Sequence, residues 1–191
     1  MTDVTTEFFP GFGDARLALH RMGTGRPVVL LHGLFSSAEV NWIKFGTATQ
    51  LAALGFECLM PDLRVHGQSE APLDPRAYPQ DVLVRDAEAL VAHLGLTDFD
   101  LVGFSLGSRT AARAVLGGMK PRRLVLSGMG LEGLAGWTRR QDFFLDVIDR
   151  FGTIARDDPA YFSQQFLKTM GVTRDAARLL LGTMADSDPA S

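Results

Sequence analysis

The chain has 191 residues, 46% of them apolar, with 19 Lys and Arg against 22 Asp and Glu and a formal charge of −3. That length suits one domain with a sizeable core. Scattered Lys and Arg exclude a nucleic-acid surface, and no run of about 18 apolar residues exists to span a membrane. The opening MTDVTTEFFPGFGDAR lacks the basic and apolar regions of an export signal, so a cytoplasmic protein is expected. A single cysteine, Cys58, forbids an internal disulfide; within FECLM it reads as a buried, inert thiol.

Taken in order, ARLALHRM (15–22) alternates like a strand, and PVVLLHG (27–33) is a continuous apolar run that stops at glycine. Residues 38–54 read as one helix, and 56–63 as a second buried strand. Residues 79–95 place Leu83, Ala87, Leu90, Val91 and Leu94 at helical spacing, between a proline and a glycine. DFDLVGFS (98–105) is a third strand, followed by a helix to about Gly117, and 122–130 is a fourth. The pairs Gly11/Gly13 and Gly23/Gly25 lack the strand-before, helix-after context of phosphate loops and read as turns.

Buried strands alternating with helices predict an α/β fold: a mostly parallel, doubly wound sheet covered on both faces. Ligands bind such a sheet beyond the carboxyl ends of its strands, here after Leu31, Met60, Val102 and Leu126. After Gly130 the strands stop. Residues 138–151 gather Phe143, Phe144, Val147, Ile148 and Phe151 on one face. DDPAYFSQQFLKTMG predicts a helix with an Asp cap and proline at its first position, carrying Tyr161, Phe162, Phe166, Leu167 and Met170. TRDAARLLLGTM is a third helix. The chain thus divides into a core over 1–130 and a helical cap over 131–191.

Gly103-Phe104-Ser105-Leu106-Gly107 stands where the third strand meets its helix. A serine on so sharp a turn is strained, and side chains two residues either side would clash, so glycines flank it. The turn lifts the hydroxyl to the sheet edge and aims the amide of Leu106 at an oxyanion.

With VVLLHGLFSS and MPDLRVHGQSE in the same order along the chain, GFSLG resembles the nucleophile elbow of the α/β-hydrolase family. The resemblance covers the chain to about Gly130, with cap-like helices behind. It implies Ser105 as nucleophile, the amides of Leu34 and Leu106 as oxyanion hole, and Gly33, Gly103, Gly107 and His32 as support for the loops. Val65 departs from the pattern, standing where the family has glycine between Arg64 and His66; an altered loop shape is expected. Family members that open epoxides or displace halides carry Asp at the elbow, whereas Ser105 implies acyl transfer.

A serine needs a base, which in this family follows it in the chain as a histidine. His20, His32, His66 and His93 all precede Ser105. His20 and His93 read as structural or solvated and His32 as a loop-shaping residue. His66 reads as a loop brace or, failing that, a substitute base. Glu132 is the only carboxylate in the loop after the fourth strand, hence the candidate triad acid. The chain stops where the family begins the strands that bring acid and histidine, so the base is expected beyond Ser191. The chain by itself is then expected to be nearly inactive, and to self-associate through strand 122–128 as an exposed edge.

The sequence therefore predicts a serine hydrolase acting on a small apolar carboxylic ester. The competing reading is a non-catalytic small-ligand-binding protein on the same fold. No cofactor is implied, and no histidines and carboxylates show metal-ligand spacing.

Overall fold

The computed structural model describes residues 3–184. Strand β3 (Arg26–Leu31) explains why a continuous apolar run was needed. Val29 and Leu31 enter one buried cluster, Val28 and Leu30 another. The two-residue period of a strand sends alternate side chains to opposite faces, and here both faces are covered. Strand β4 (Phe56–Pro61) behaves alike, with Leu59 in the first cluster and Cys58 and Met60 in the second. Helix α1 (Thr47–Ala53) covers the second face through Ala48. Helices α2 (Val82–His93) and α3 (Leu106–Leu116) cover the first through Val82, Leu83, Leu90, Leu106 and Ala111.

The six strands lie in the order β1-β2-β4-β3-β5-β6. The pairs β3–β4, β3–β5 and β5–β6 (β5 Asp100–Phe104, β6 Arg123–Ser127) are parallel. Strand β2 (Arg16–Met22) runs antiparallel to both β1 (Thr5–Pro10) and β4. This is the predicted mostly parallel, doubly wound α/β sheet. From β3 the chain adds a strand on one side and then on the other. The loops after β3 and β5 therefore part in opposite directions and leave a crevice at the carboxyl edge.

Local differences from the sequence reading have physical causes. Strand β1 was not foreseen: it is an edge strand on which Phe9 alone is buried, so it carries little alternation. The single helix expected over 38–54 is broken. A π-helical turn occupies Glu39–Ile43, and Gly46 at φ 81° separates it from α1. The helix around Tyr161 starts two residues after Pro159, because Asp158 first closes a turn by accepting the Ala160 amide at 2.8 Å.

Past β6 come α4 (Leu131–Ala135), α5 (Trp137–Asp149), α6 (Tyr161–Met170) and α7 (Arg174–Leu181). Trp137, Ile148, Leu167, Leu180 and Leu181 join the same cluster as the first face of the sheet. Phe162, by contrast, is 81% exposed. Cys58 is fully buried, and burial, then the nearby Glu57, pushes its thiol up to about 11. Among the described residues no helix is long and apolar enough to cross a membrane.

Candidate active site

Ser105 links β5 to α3 with φ 52° and ψ −111°, a strained conformation for a residue with a side chain. Two glycines permit it. A Cβ on Gly103 would stand 2.4 Å from the Gly107 carbonyl group and the Ser108 nitrogen. A Cβ on Gly107 would stand 2.1 Å from the Leu31 carbonyl oxygen at the end of β3. The first glycine lets the turn close, and the second lets the helix start against the neighbouring strand. Neighbours hold the turn. The Ser105 amide donates to Ser127 O at 2.8 Å. Ser108 Oγ accepts the Ser127 amide at 2.9 Å and lies 2.7 Å from the carbonyl oxygens of Gly103 and Ser127. Ser105 itself is half-buried, and among the described residues its hydroxyl has no hydrogen-bond partner.

The loop after β3 lies directly against this turn. The position of a Gly33 Cβ is 3.2 Å from the Phe104 ring and 3.5 Å from Ser105 Cβ. Its backbone is held group by group. The Gly33 amide donates to Asn41 Oδ1 at 2.8 Å and the Phe35 amide to His66 Nε2 at 2.9 Å. His32 Nδ1–H donates to Gly33 O at 2.8 Å, and the Ser36 amide reaches the same oxygen at 3.2 Å. Between these clamped groups the Leu34 amide has no partner among the described residues. The Leu106 amide, in the first turn of α3, has none either, as the first amides of a helix lack intrahelical acceptors.

Both crevice histidines are committed to backbone. His32 Nε2 accepts the Leu63 amide at 2.9 Å, so its two ring nitrogens are used. His66 Nδ1–H donates to Arg64 O at 2.9 Å while Nε2 takes Phe35, which uses both of its own. Burial, then the neighbouring His32, pushes His66 down to about 3; burial lowers His32 as well. Each is thus a neutral ring of fixed tautomer. Neither has a nitrogen left for Ser105. His20 lies between Thr6 Oγ1 and Asp62 Oδ2, and His93 packs beside Phe9. Glu132 is exposed in the first turn of α4, and no hydrogen bond or ion pair joins it to a histidine among the described residues.

The Asp-x-Arg segment after β4 is a buried polar knot. Asp62 accepts the amides of Ala38 and Gln68, each at 2.8 Å, and a bond from His20. Burial opposes its charge, but these three bonds outweigh burial and lower its pKa. Arg64 is fully buried and bidentate to Asp86 of α2, at 2.9 and 2.7 Å. Val65 takes the left-handed conformation, at φ 77°, that glycine adopts readily. That costs about 1–2 kcal/mol for a residue with a Cβ. The Val65 amide bond to Glu70 O and the side chain's place in the core offset it.

Sequence reasoning missed Asn41, Ser108 and the Arg64–Asp86 pair. Asp86 carried a signal: it stands on the apolar face of its helix, between Leu83 and Leu90, where a carboxylate needs a buried partner.

The comparisons with known proteins identify the fold. A family model described as alpha/beta hydrolase fold matches residues 26–168. Epoxide hydrolase 2 of Siraitia grosvenorii is 29% identical over 143 residues, covering 75% of this chain and 42% of that protein. A non-heme haloperoxidase of Rhodococcus erythropolis is 33% identical over 150 residues, covering 65% of this chain and 52% of that protein. The structure of an esterase from Exiguobacterium antarcticum superposes with a TM-score of 0.66 at 21% identity, covering 96% of this chain and 74% of that one. The chain spans about half or less of the length of these two curated relatives. An elbow serine, a loop clamped beside it and a family model over most of the residues lead to one assignment: the chain belongs to the alpha/beta hydrolase fold family.

Proposed function

We propose that this protein is a serine hydrolase that cleaves small apolar carboxylic esters through an acyl-enzyme on Ser105. The observation that supports the reading is a strained elbow serine packed against a loop whose Leu34 amide, like the Leu106 amide that follows the serine, has no partner among the described residues. Attack on an ester carbonyl turns its oxygen into an oxyanion, and preformed amide donors stabilise it without reorganising. An elbow serine rather than aspartate favours acyl transfer over epoxide opening, although epoxide hydrolases are among the similar proteins. Helices α4–α7 act as the cap that holds the acyl group.

His20, His32 and His66 are bonded away from Ser105 and His93 is exposed beside Phe9, so in this proposal none of the four serves as the base, which the reaction draws from elsewhere. The decisive comparison is the hydrolysis of short p-nitrophenyl esters, with the segment or partner that bears the base present, by the wild-type protein and by Ser105→Ala. We expect at least a tenfold loss in the variant, because the hydroxyl is the only attacking atom. Equal rates would sink the reading and leave a non-catalytic ligand-binding protein as the better account.

The 191-residue chain also self-associates in this proposal. Strand β6 ends the sheet, its outer edge is unpaired among the described residues, and Leu124, Val125 and Leu126 are 38–51% exposed. An apolar strand with free amides and carbonyls is a template for another chain. Sedimentation velocity should show the average mass rising with concentration. A monomer at all concentrations with cooperative unfolding contradicts this.

A further inference from the structure

We infer that Asn41 is a positioning residue for the crevice: delivered by the π-helical turn Glu39–Ile43, it fixes the Gly33 backbone, which packs against Ser105 and leads into the Leu34 amide. The inference rests on the serine-hydrolase reading for its purpose, but not for its geometry. The turn is anchored at its start, where the Ala38 amide donates to the buried carboxylate of Asp62 at 2.8 Å. Its width comes from rings enlarged by one residue, such as that closed by the Lys44 amide on Glu39 O at 2.8 Å, a bond to the fifth residue back. The next side chain, Trp42, is buried in the cluster on the second face of the sheet and locks the rotation of the turn. With Trp42 held in the core, Asn41 is directed to the crevice, and its side-chain oxygen takes the Gly33 amide. A donor faces it, so the oxygen and not the amide nitrogen occupies that place.

This one bond matters because of the peptide that follows. Gly33 O and the Leu34 N–H belong to the same planar trans unit and point in opposite directions. His32 and Ser36 hold the oxygen end of that unit, and His66 holds the amide after it. Asn41 holds the amide before it. Without Asn41 the Gly33 backbone regains freedom about the bonds leading into the unit, and the direction of the Leu34 N–H is no longer set. A regular α-helix in place of the π-turn would rotate residue 41 away from Gly33.

The test compares wild type, Asn41→Leu and Asn41→Asp. Leucine has nearly the same size and no acceptor, while aspartate restores an oxygen. Amide hydrogen exchange followed by NMR should show the Gly33 amide exchanging about tenfold faster in Asn41→Leu and regaining protection in Asn41→Asp. Protection unchanged in Asn41→Leu overturns the inference. Where turnover of a p-nitrophenyl ester is abolished by Ser105→Ala, Asn41→Leu should lower kcat about tenfold with KM unchanged, and Asn41→Asp should recover most of it. A change in KM alone, or equal loss in both variants, also overturns it. If wild type with its base supplied has no Ser105-dependent turnover, the serine-hydrolase reading fails by itself and the exchange rates alone decide on Asn41.

Discussion

Arg64→Met is expected to lower the unfolding free energy by about 3–5 kcal/mol, measured by urea denaturation at neutral pH. The guanidinium is fully buried and meets four acceptors: both oxygens of Asp86, Phe12 O at 2.8 Å and Ala77 O at 3.2 Å. It thereby joins α2 to three irregular segments: the loop after β4, the turn after β1 and the turn at Pro75–Ala77. Methionine fills the channel but accepts and donates nothing there. Asp86 is then left, among the described residues, with the Phe12 amide at 2.9 Å as its one remaining partner. Leaving one buried charge behind costs more than the pair contributes, and this drives the size of the effect.

The double variant Arg64→Met, Asp86→Leu separates that penalty from packing. Removing both charges should recover part of the loss, so the two single effects add to more than the double one. Recovery stays incomplete, because the Phe12 amide and the carbonyls of Phe12 and Ala77 remain buried without partners. A loss below about 1 kcal/mol for Arg64→Met would mean that the ion pair is not what closes these loops.

How much of this was legible in the sequence depends on the range of the signal. Strands β3, β4 and β5 are apolar on both faces, and a run such as VVLL announces that without knowledge of the partners. The elbow was legible because its glycines are required by contacts within a few residues, Gly103 against Gly107. Gly107 also abuts Leu31, about 76 residues away, which no local pattern carries. Strand β1 failed because an edge strand buries too little to impose alternation. Residues 38–54 failed because helical spacing does not tell a π-turn plus a short helix from one continuous helix. The roles of Asn41 and His66 are set by backbone amides, and those write nothing into the sequence. That every histidine of these 191 residues comes before the elbow was legible by counting. Only the structure adds that His20, His32 and His66 are bonded elsewhere, while His93 is exposed beside Phe9.

Acid should destabilise the protein well before ordinary carboxylates titrate, and His66 is the main reason. Its ring is buried with its Nε2 accepting the Phe35 amide and with His32 5.1 Å away, centroid to centroid. Burial, then His32, lowers its pKa to about 3, against about 6.5 in the unfolded chain. Between those values the unfolded state binds a proton that the folded state refuses. Stability therefore rises with pH across this window and is lost as pH falls from about 6.5 towards 3, by about 5 kcal/mol in all. His32 is shifted downward by burial and adds a loss of the same sign. Asp62, also lowered, joins at lower pH, where unfolded carboxylates take up protons first. Urea denaturation between pH 7 and 4 should give a slope of at least about 1.4 kcal/mol per pH unit below pH 6. His66→Gln offers an acceptor to Phe35 and a donor to Arg64 O and does not titrate, so its slope should be smaller by about one proton. If the slope is the same in both proteins, His66 does not set the acid limit. If the slope falls, the ring that clamps the Phe35 amide also makes the crevice acid-sensitive, because a protonated Nε2 turns a donor on a donor and releases the loop beside Ser105.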